Sequence, residues 1–113
     1  MLPKKRRIPR KEFPKILTEG KRYNSPDFLL YSASIDKNIP SKFSFSVSKK
    51  VFKNATDRNK YRRRGYAVIN GHISEIKTGY LCFFSFKKGQ SKITFKNLEE
   101  QITHLLKQAN VLI

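Results

Sequence analysis

The chain has 113 residues, enough for one domain that buries a core without staples. Its 25 Lys and Arg against 8 Asp and Glu give a formal charge of +17. Self-repulsion of that size favours a neutralising partner: nucleic-acid phosphates, an anionic membrane or an acidic protein. No run is long and apolar enough to span a bilayer, and Met1-Leu2-Pro3-Lys4 lacks the apolar stretch of a signal peptide. The lone Cys82 excludes an intrachain disulfide and fits a reducing, cytoplasmic setting.

Residues 1–12 read as a basic arm ahead of a single domain over 1–113. Phe13, Ile16 and Leu17 have helical spacing, and Gly20 offers a stop. Pro14 fits only a first turn, so a short helix is predicted over about 12–19. Phe28-Leu29-Leu30-Tyr31-Ser32-Ala33 reads as a strand, and Asn38-Ile39-Pro40 as a turn. A second strand alternates Phe43, Phe45 and Val47 with Ser44, Ser46 and Ser48. Lys53 and Asn54 fall in a connection or a first helical turn.

A helix is predicted over about 55–69, with Tyr61, Gly65 and Val68 on one stripe. A glycine inside a helix costs about 1 kcal/mol relative to Ala, so Gly65 implies a close packing approach. Asn70-Gly71 ends this helix. Gly79 to Phe86 is a continuous apolar run, consistent with a strand buried on both faces. Lys87-Lys88-Gly89-Gln90 reads as a loop. The last helix spans about 96–109, with Leu98, Ile102, Leu105 and Ala109 on one face and Thr94 or Asn97 as cap. The order is α β β α β α, an α/β architecture in which the basic central helix joins two parallel strands.

Catalytic chemistry has little support in the chain. His72 and His104 lack metal-ligand spacing, Asp36, Asp57, Glu99 and Glu100 are scattered, and no phosphate-cradling or nucleophile motif occurs. No catalytic or metal-binding residue is assigned. Cationic chemistry is concentrated instead. Between Lys42 and Arg64 stand nine basic residues and one acid, Asp57. A solvated face normally interleaves both signs, so the single sign favours phosphate binding. Arginine dominates the helix, and its planar fork suits phosphate oxygens. Aromatic residues Phe13, Phe28, Tyr31, Phe43 and Phe45 alternate with polar ones. Most belong to the core, whereas Tyr31 tolerates a wet edge and can stack on a base.

These residues resemble a family. Ser46-Val47-Ser48-Lys49-Lys50-Val51, Asn54-Ala55 and Arg58-Asn59-Lys60-Tyr61-Arg62-Arg63 are similar to the V-S-K-K-V-G-N-A-V-x-R-N-R-x-K-R signature of the bacterial ribonuclease P protein component. Arg7-Ile8, Phe13, Ile16, Gly20, Arg22, Leu29-Leu30-Tyr31 and Phe95-x-x-Leu98-Glu99 agree in order. The resemblance implies an α+β two-layer sandwich with a left-handed βαβ crossover. It implies a subunit that helps a catalytic RNA remove the 5′ leader of precursor tRNA. Mg²⁺ would be held mainly by that RNA. The implied partners are the ribonuclease P RNA and the precursor leader, with no membrane and no small-molecule substrate.

Carried over by position, the RNA-binding set is Lys49, Lys50, Lys53, Asn54, Arg58, Asn59, Lys60, Arg62, Arg63 and Arg64. The leader-binding set is Phe13, Leu17, Tyr31, Ser48 and Lys50. The chain departs from the pattern in four places. Phe52-Lys53 replaces a glycine with one extra residue, Lys60 stands for arginine, Tyr66 stands where arginine is common, and Leu17 where an aromatic is common. A small ribosomal or ribosome-associated rRNA-binding protein would share the charge and size. A self-sufficient nuclease would need reactive groups that are not apparent. A membrane-surface helix would need bulkier apolar residues than the Tyr61, Gly65, Val68 stripe.

Overall fold

The computed structural model describes residues 3–87 and 93–113. Helix α1 (Phe13–Glu19) begins with Pro14 in its first turn, where no intrahelical N–H is lost. Strands β1 (Lys21–Asn24), β2 (Phe28–Ser34), β3 (Lys42–Ser46) and β4 (Tyr80–Phe86) form one sheet in the order β1-β2-β4-β3. Helix α2 (Ala55–Gly71) connects β3 to β4, which pair in parallel as the βαβ reading requires. Helix α3 (Phe95–Gln108) closes the chain, capped by Thr94, whose side chain accepts from the Asn97 N–H. Of the two cap candidates, Thr94 fills the role, and Asn97 lies inside the first turn.

The strand β1 was not legible in the sequence. Lys-Arg-Tyr-Asn shows no alternation and buries no residue fully. It becomes a strand because its backbone finds β2 across the Ser25-Pro26-Asp27 turn, with Lys21 opposite Ser32 and Asn24 opposite Leu29. The observed order is therefore α β β β α β α. Residues 3–12 of the arm are also more structured than a solvated tail. Two 3₁₀ turns, Lys4–Arg6 and Arg10–Glu12, flank Arg7 and Ile8. There Arg7 bridges Phe43 in parallel, the Ile8 N–H donates to the Phe43 carbonyl at 3.2 Å, and Ile8 is buried. Of the predicted Lys87-Lys88-Gly89-Gln90 loop, all but Lys87 lies outside the described residues.

The sheet has two differently used faces, because successive side chains on a strand point opposite ways. Phe28, Leu30, Phe43, Phe45, Cys82, Phe84 and Phe86 point to one face, where they meet Leu98, Ile102, Leu105 and Leu106 of α3 and Tyr61, Val68 and Ile69 of α2. The opposite face is covered only in part, by Ile8 and Ile16 over Ala33 and Leu81. The sandwich thus has α2 and α3 as one full layer and α1 as a partial layer behind the sheet. Gly79, expected inside β4, precedes it with φ +89°, and a Cβ there would meet Lys37 Cα at 3.0 Å.

Candidate nucleic-acid interface

Helix α2 presents its charges in groups with different surroundings. Its buried stripe is Tyr61, Gly65, Tyr66, Val68 and Ile69. Asn59, Arg62 and Arg63 rise on the side nearest β3, where they line a surface cavity of about 510 Å³ with Arg7, Phe45 and Tyr66. Arg62 donates to the Asn59 side-chain oxygen, so the amide orients a guanidinium. Lys60 and Arg64 lie around the Tyr61 ring, at 5.8 and 5.6 Å from its centroid. That leaves their charged ends on a separate flank of the helix.

Arg58 is different. It is partly buried, and its Nη1 donates to the carbonyls of Phe52 at 2.9 Å and Lys53 at 2.7 Å. One corner of its fork therefore holds the loop that precedes α2. The extra residue in that loop has a structural use, since Phe52 is buried and stacks on Tyr61 at 4.4 Å and 12°. The Val51 and Phe52 N–H groups both donate to the Ser48 carbonyl, which tightens the turn. Lys49, Lys50, Lys53 and Asn54 are left exposed on its outside. Asn54 occupies the N-cap position of α2 without a side-chain capping bond, so its amide is available. Lys49, Lys50, Lys53, Lys60 and Arg63 form no ion pair among the described residues, where the one such contact is His72 to Glu75 at 3.6 Å.

The half-covered face of the sheet carries an aromatic cluster. Phe13 of α1 meets Phe83 edge-on at 5.2 Å, and Tyr31 stacks against Phe83 at 5.9 Å and 28°. The Arg22 guanidinium lies 5.9 Å from the Tyr31 centroid. Strand register runs Arg22, Tyr31, Phe83 and Ser44 as one row across the sheet, with Asn24, Leu29, Ser85 and Ser46 as the next. Tyr31 and Phe83 are half-buried, whereas Phe28, Phe43 and Phe45 are fully committed to the core. Leu17, one helical turn beyond Phe13, is 51% exposed. Ser48 and Lys50 are exposed in the turn after β3. Phe83 and Arg22 were missed as members of this cleft. Phe83 was hidden in an apolar run, and only pairing with Tyr31 shows which face it takes.

Tyr66 replaces a surface charge with a buried one-residue seal. It is 7% exposed, its ring meets Phe45 edge-on at 5.0 Å, and its hydroxyl accepts from the Phe45 N–H at 3.3 Å. Burial pushes the Cys82 thiol up to about 12, despite a hydrogen bond with Ser32 that pulls the other way. His72 is engaged with Thr103 at 3.0 Å. Among the described residues no three His, Cys, Asp or Glu side chains gather to hold a metal ion. No described helix is long and apolar enough to cross a membrane.

A mixed four-stranded sheet with a cationic crossover helix and an aromatic cleft on its other face defines a small α+β RNA-binding protein. Comparison narrows the class. Residues 2–110 match the family model described as Ribonuclease P. The chain is 31% identical to the ribonuclease P protein component of Microcystis aeruginosa, covering 91% of this chain and 88% of that protein. It is 31% identical to that of Pseudanabaena, covering 99% and 97%. The fold is similar to the Staphylococcus aureus RNase P protein, with a TM-score of 0.84, 26% identity and 96% and 98% coverage. The Thermotoga maritima RNase P protein gives 0.81, 25%, and 90% and 96%. The chain belongs to the ribonuclease P protein component family, whose members serve as the protein subunit of ribonuclease P in tRNA processing.

Proposed function

We propose that this chain binds the RNA subunit of a bacterial ribonuclease P through α2 and its preceding loop, and holds the 5′ leader of precursor tRNA in the sheet cleft. The observation that carries the reading is the Asn59, Arg62, Arg63 face, which is cationic and offers an oriented guanidinium. Lys49, Lys50 and Lys53 would add phosphate contacts around it, and Lys60 and Arg64 would extend the field along the other flank. Arg58 would act chiefly by presenting the loop. In the cleft, Tyr31 and Phe83 offer a stacking surface for leader bases, while Phe13 and Leu17 form its wall. Ser48 and Lys50 would meet the leader near the end of β3.

The chemical step is assigned to the RNA, because neither surface of this chain gathers an acid, a base or a nucleophile. Mg²⁺ would supply charge stabilisation to the transition state when bound, held mainly by RNA phosphates. This chain would bind and orient the strand and lower the density of negative charge that the two RNAs bring together. A cytoplasmic location follows from that role.

The test is 5′ leader removal from a precursor tRNA at low Mg²⁺, with ribonuclease P RNA from the same source. Cleavage should require protein and RNA together. Cleavage by the RNA alone at the same rate would overturn the subunit reading, and cleavage by the protein alone would move the chemistry onto this chain. Tyr31→Ala should weaken a leader-bearing precursor about tenfold more than mature tRNA, consistent with one lost stacking contact of roughly 1–3 kcal/mol. Equal weakening of both would remove Tyr31 from the cleft.

A further inference from the structure

The sheet carries a polar cavity at the end remote from the start of α2. Its volume is about 450 Å³, and it shares no residue with α2 or with the Tyr31–Phe83 cluster. The cause lies in β2. The side chains of this strand that face α3 are Phe28, Leu30, Ser32 and Ser34 in turn. The first two are fully buried under α3, but the helix ends at Gln108, and past that point the strand changes from apolar to hydroxyl. In the register Ser32 stands between Lys21 and Cys82, and Ser34 stands opposite Tyr80. Tyr23 of β1 and Tyr80 of β4 thus flank the two serines, while Gln108 and Asn110 line the cavity from the helix end. Lys15 and Lys21 bring two amines against one carboxylate, Glu19.

Most of these polar groups are uncommitted. The side chains of Tyr23, Ser34, Tyr80 and Gln108 form no hydrogen bond among the described residues, and Lys15 and Lys21 form no ion pair there. Asn110, at φ 61°, accepts from Lys77 Nζ at 3.0 Å through its side-chain oxygen, which leaves its amide N–H groups to donate. Serine, tyrosine, asparagine, glutamine and lysine are side chains that bond sugar hydroxyls and phosphate oxygens. A ribose hydroxyl donates and accepts at once, and a serine, a tyrosine and a carboxamide can answer it both ways. Small-ligand pockets measure roughly 300–1,000 Å³, so a cavity at the lower end admits one nucleotide and excludes a duplex. We infer that this cavity binds a ribose phosphate, with the phosphate on Lys15 and Lys21 and the sugar hydroxyls on Ser34, Tyr80 and Gln108. The inference goes beyond the RNA-docking and leader readings, since neither of those surfaces takes part in it.

In the experiment, labelled AMP is dialysed to equilibrium against the full chain, first alone and then saturated with ribonuclease P RNA and a leader-bearing precursor. The free chain should bind AMP with a component that Ser34→Leu abolishes, because the larger side chain fills the cavity from an exposed position. The urea unfolding midpoint of that variant should stay at the wild-type value, which shows that the fold is kept. Lys21→Gln should weaken the same component about threefold, as expected for one exposed charge contact. 2′-Deoxy-AMP should bind about fivefold more weakly than AMP, because the site reads the 2′-hydroxyl. Retention of AMP by the saturated complex would identify a free nucleotide as the occupant, and its loss on saturation a nucleotide of the bound RNA. AMP binding that Ser34→Leu leaves unchanged, or equal affinity for AMP and 2′-deoxy-AMP, would overturn the inference. Absence of AMP binding to the free chain would overturn it as well.

Discussion

Gly65 shows how one residue fixes the seat of the basic helix. A Cβ built on it would lie 2.6 Å from Cε2 of Phe45. The ring cannot easily retreat, because it stacks on Phe84 at 4.8 Å and 9° and meets Tyr66 on its edge. Alanine would gain about 1 kcal/mol of helix propensity. Overpacking a filled core costs typically 1–3 kcal/mol, and the rigid neighbour puts this site towards the high end. Gly65→Ala should therefore destabilise the protein by about 1–2 kcal/mol in urea unfolding, and a stabilised variant would contradict this packing. Arg58 and Arg63 separate by the same kind of reasoning. Arg58→Ala frees two loop carbonyls and should cost about 1 kcal/mol, a value reduced by partial exposure. Arg63→Ala, at an exposed position, should stay within about 0.5 kcal/mol in the same unfolding measurement.

At the scale of elements, a polar lock joins the β1–β2 turn to α3. The Gln101 side-chain oxygen accepts from Ser25 Oγ at 2.7 Å and from the Asp27 N–H at 2.9 Å. Its Nε2 donates to Asp27 Oδ2 at 2.6 Å. Ser25 and Asp27 are both buried, and Lys87 Nζ adds a bond to the Ser25 carbonyl at 2.8 Å. A buried donor or acceptor left alone costs about 1–3 kcal/mol. Gln101→Leu keeps the volume but strands three polar groups, so it should lower stability by at least about 2 kcal/mol and speed amide exchange at Asp27. Unchanged exchange there would show that the turn is held without Gln101. The β3 edge is closed by comparable means. Ile8 occupies the Phe43 carbonyl and Tyr66 the Phe45 N–H, so this edge strand offers fewer free backbone groups to another chain.

For the whole molecule, the charge of +17 and the sheet topology act together. With β3 at the edge of the sheet, α2 projects its cations on one side while the aromatic cleft opens on the other face. On the proposed reading, a structured RNA and a single strand would then meet opposite surfaces of one protein. Arg62→Ala with Arg63→Ala should weaken binding to ribonuclease P RNA and flatten its salt dependence by about 1.5–2 on the logarithmic plot. An affinity loss with an unchanged slope would mean that these arginines act without displacing counterions.

Periodicity within a few residues was enough to read α2, α3, β3 and most of β4. Tyr61 and Val68 recur at helical spacing, and Phe43, Phe45 and Val47 alternate, so burial of one face is written in near neighbours. The cationic run from Lys49 to Arg64 was equally plain, because charge needs no partner to be visible. Other features depend on residues far apart in the chain. The strand β1 exists through its backbone pairing with β2, and the arm is tied down where Arg7 bridges Phe43. Phe83 joins the cleft only because it stands opposite Tyr31, and Arg58 turns inward only because the loop carbonyls of Phe52 and Phe52's neighbour Lys53 are folded back over it. Local pattern can set an element and its buried face. Which surface an edge strand, an arm or a single arginine serves is decided by what the closed sheet brings beside it.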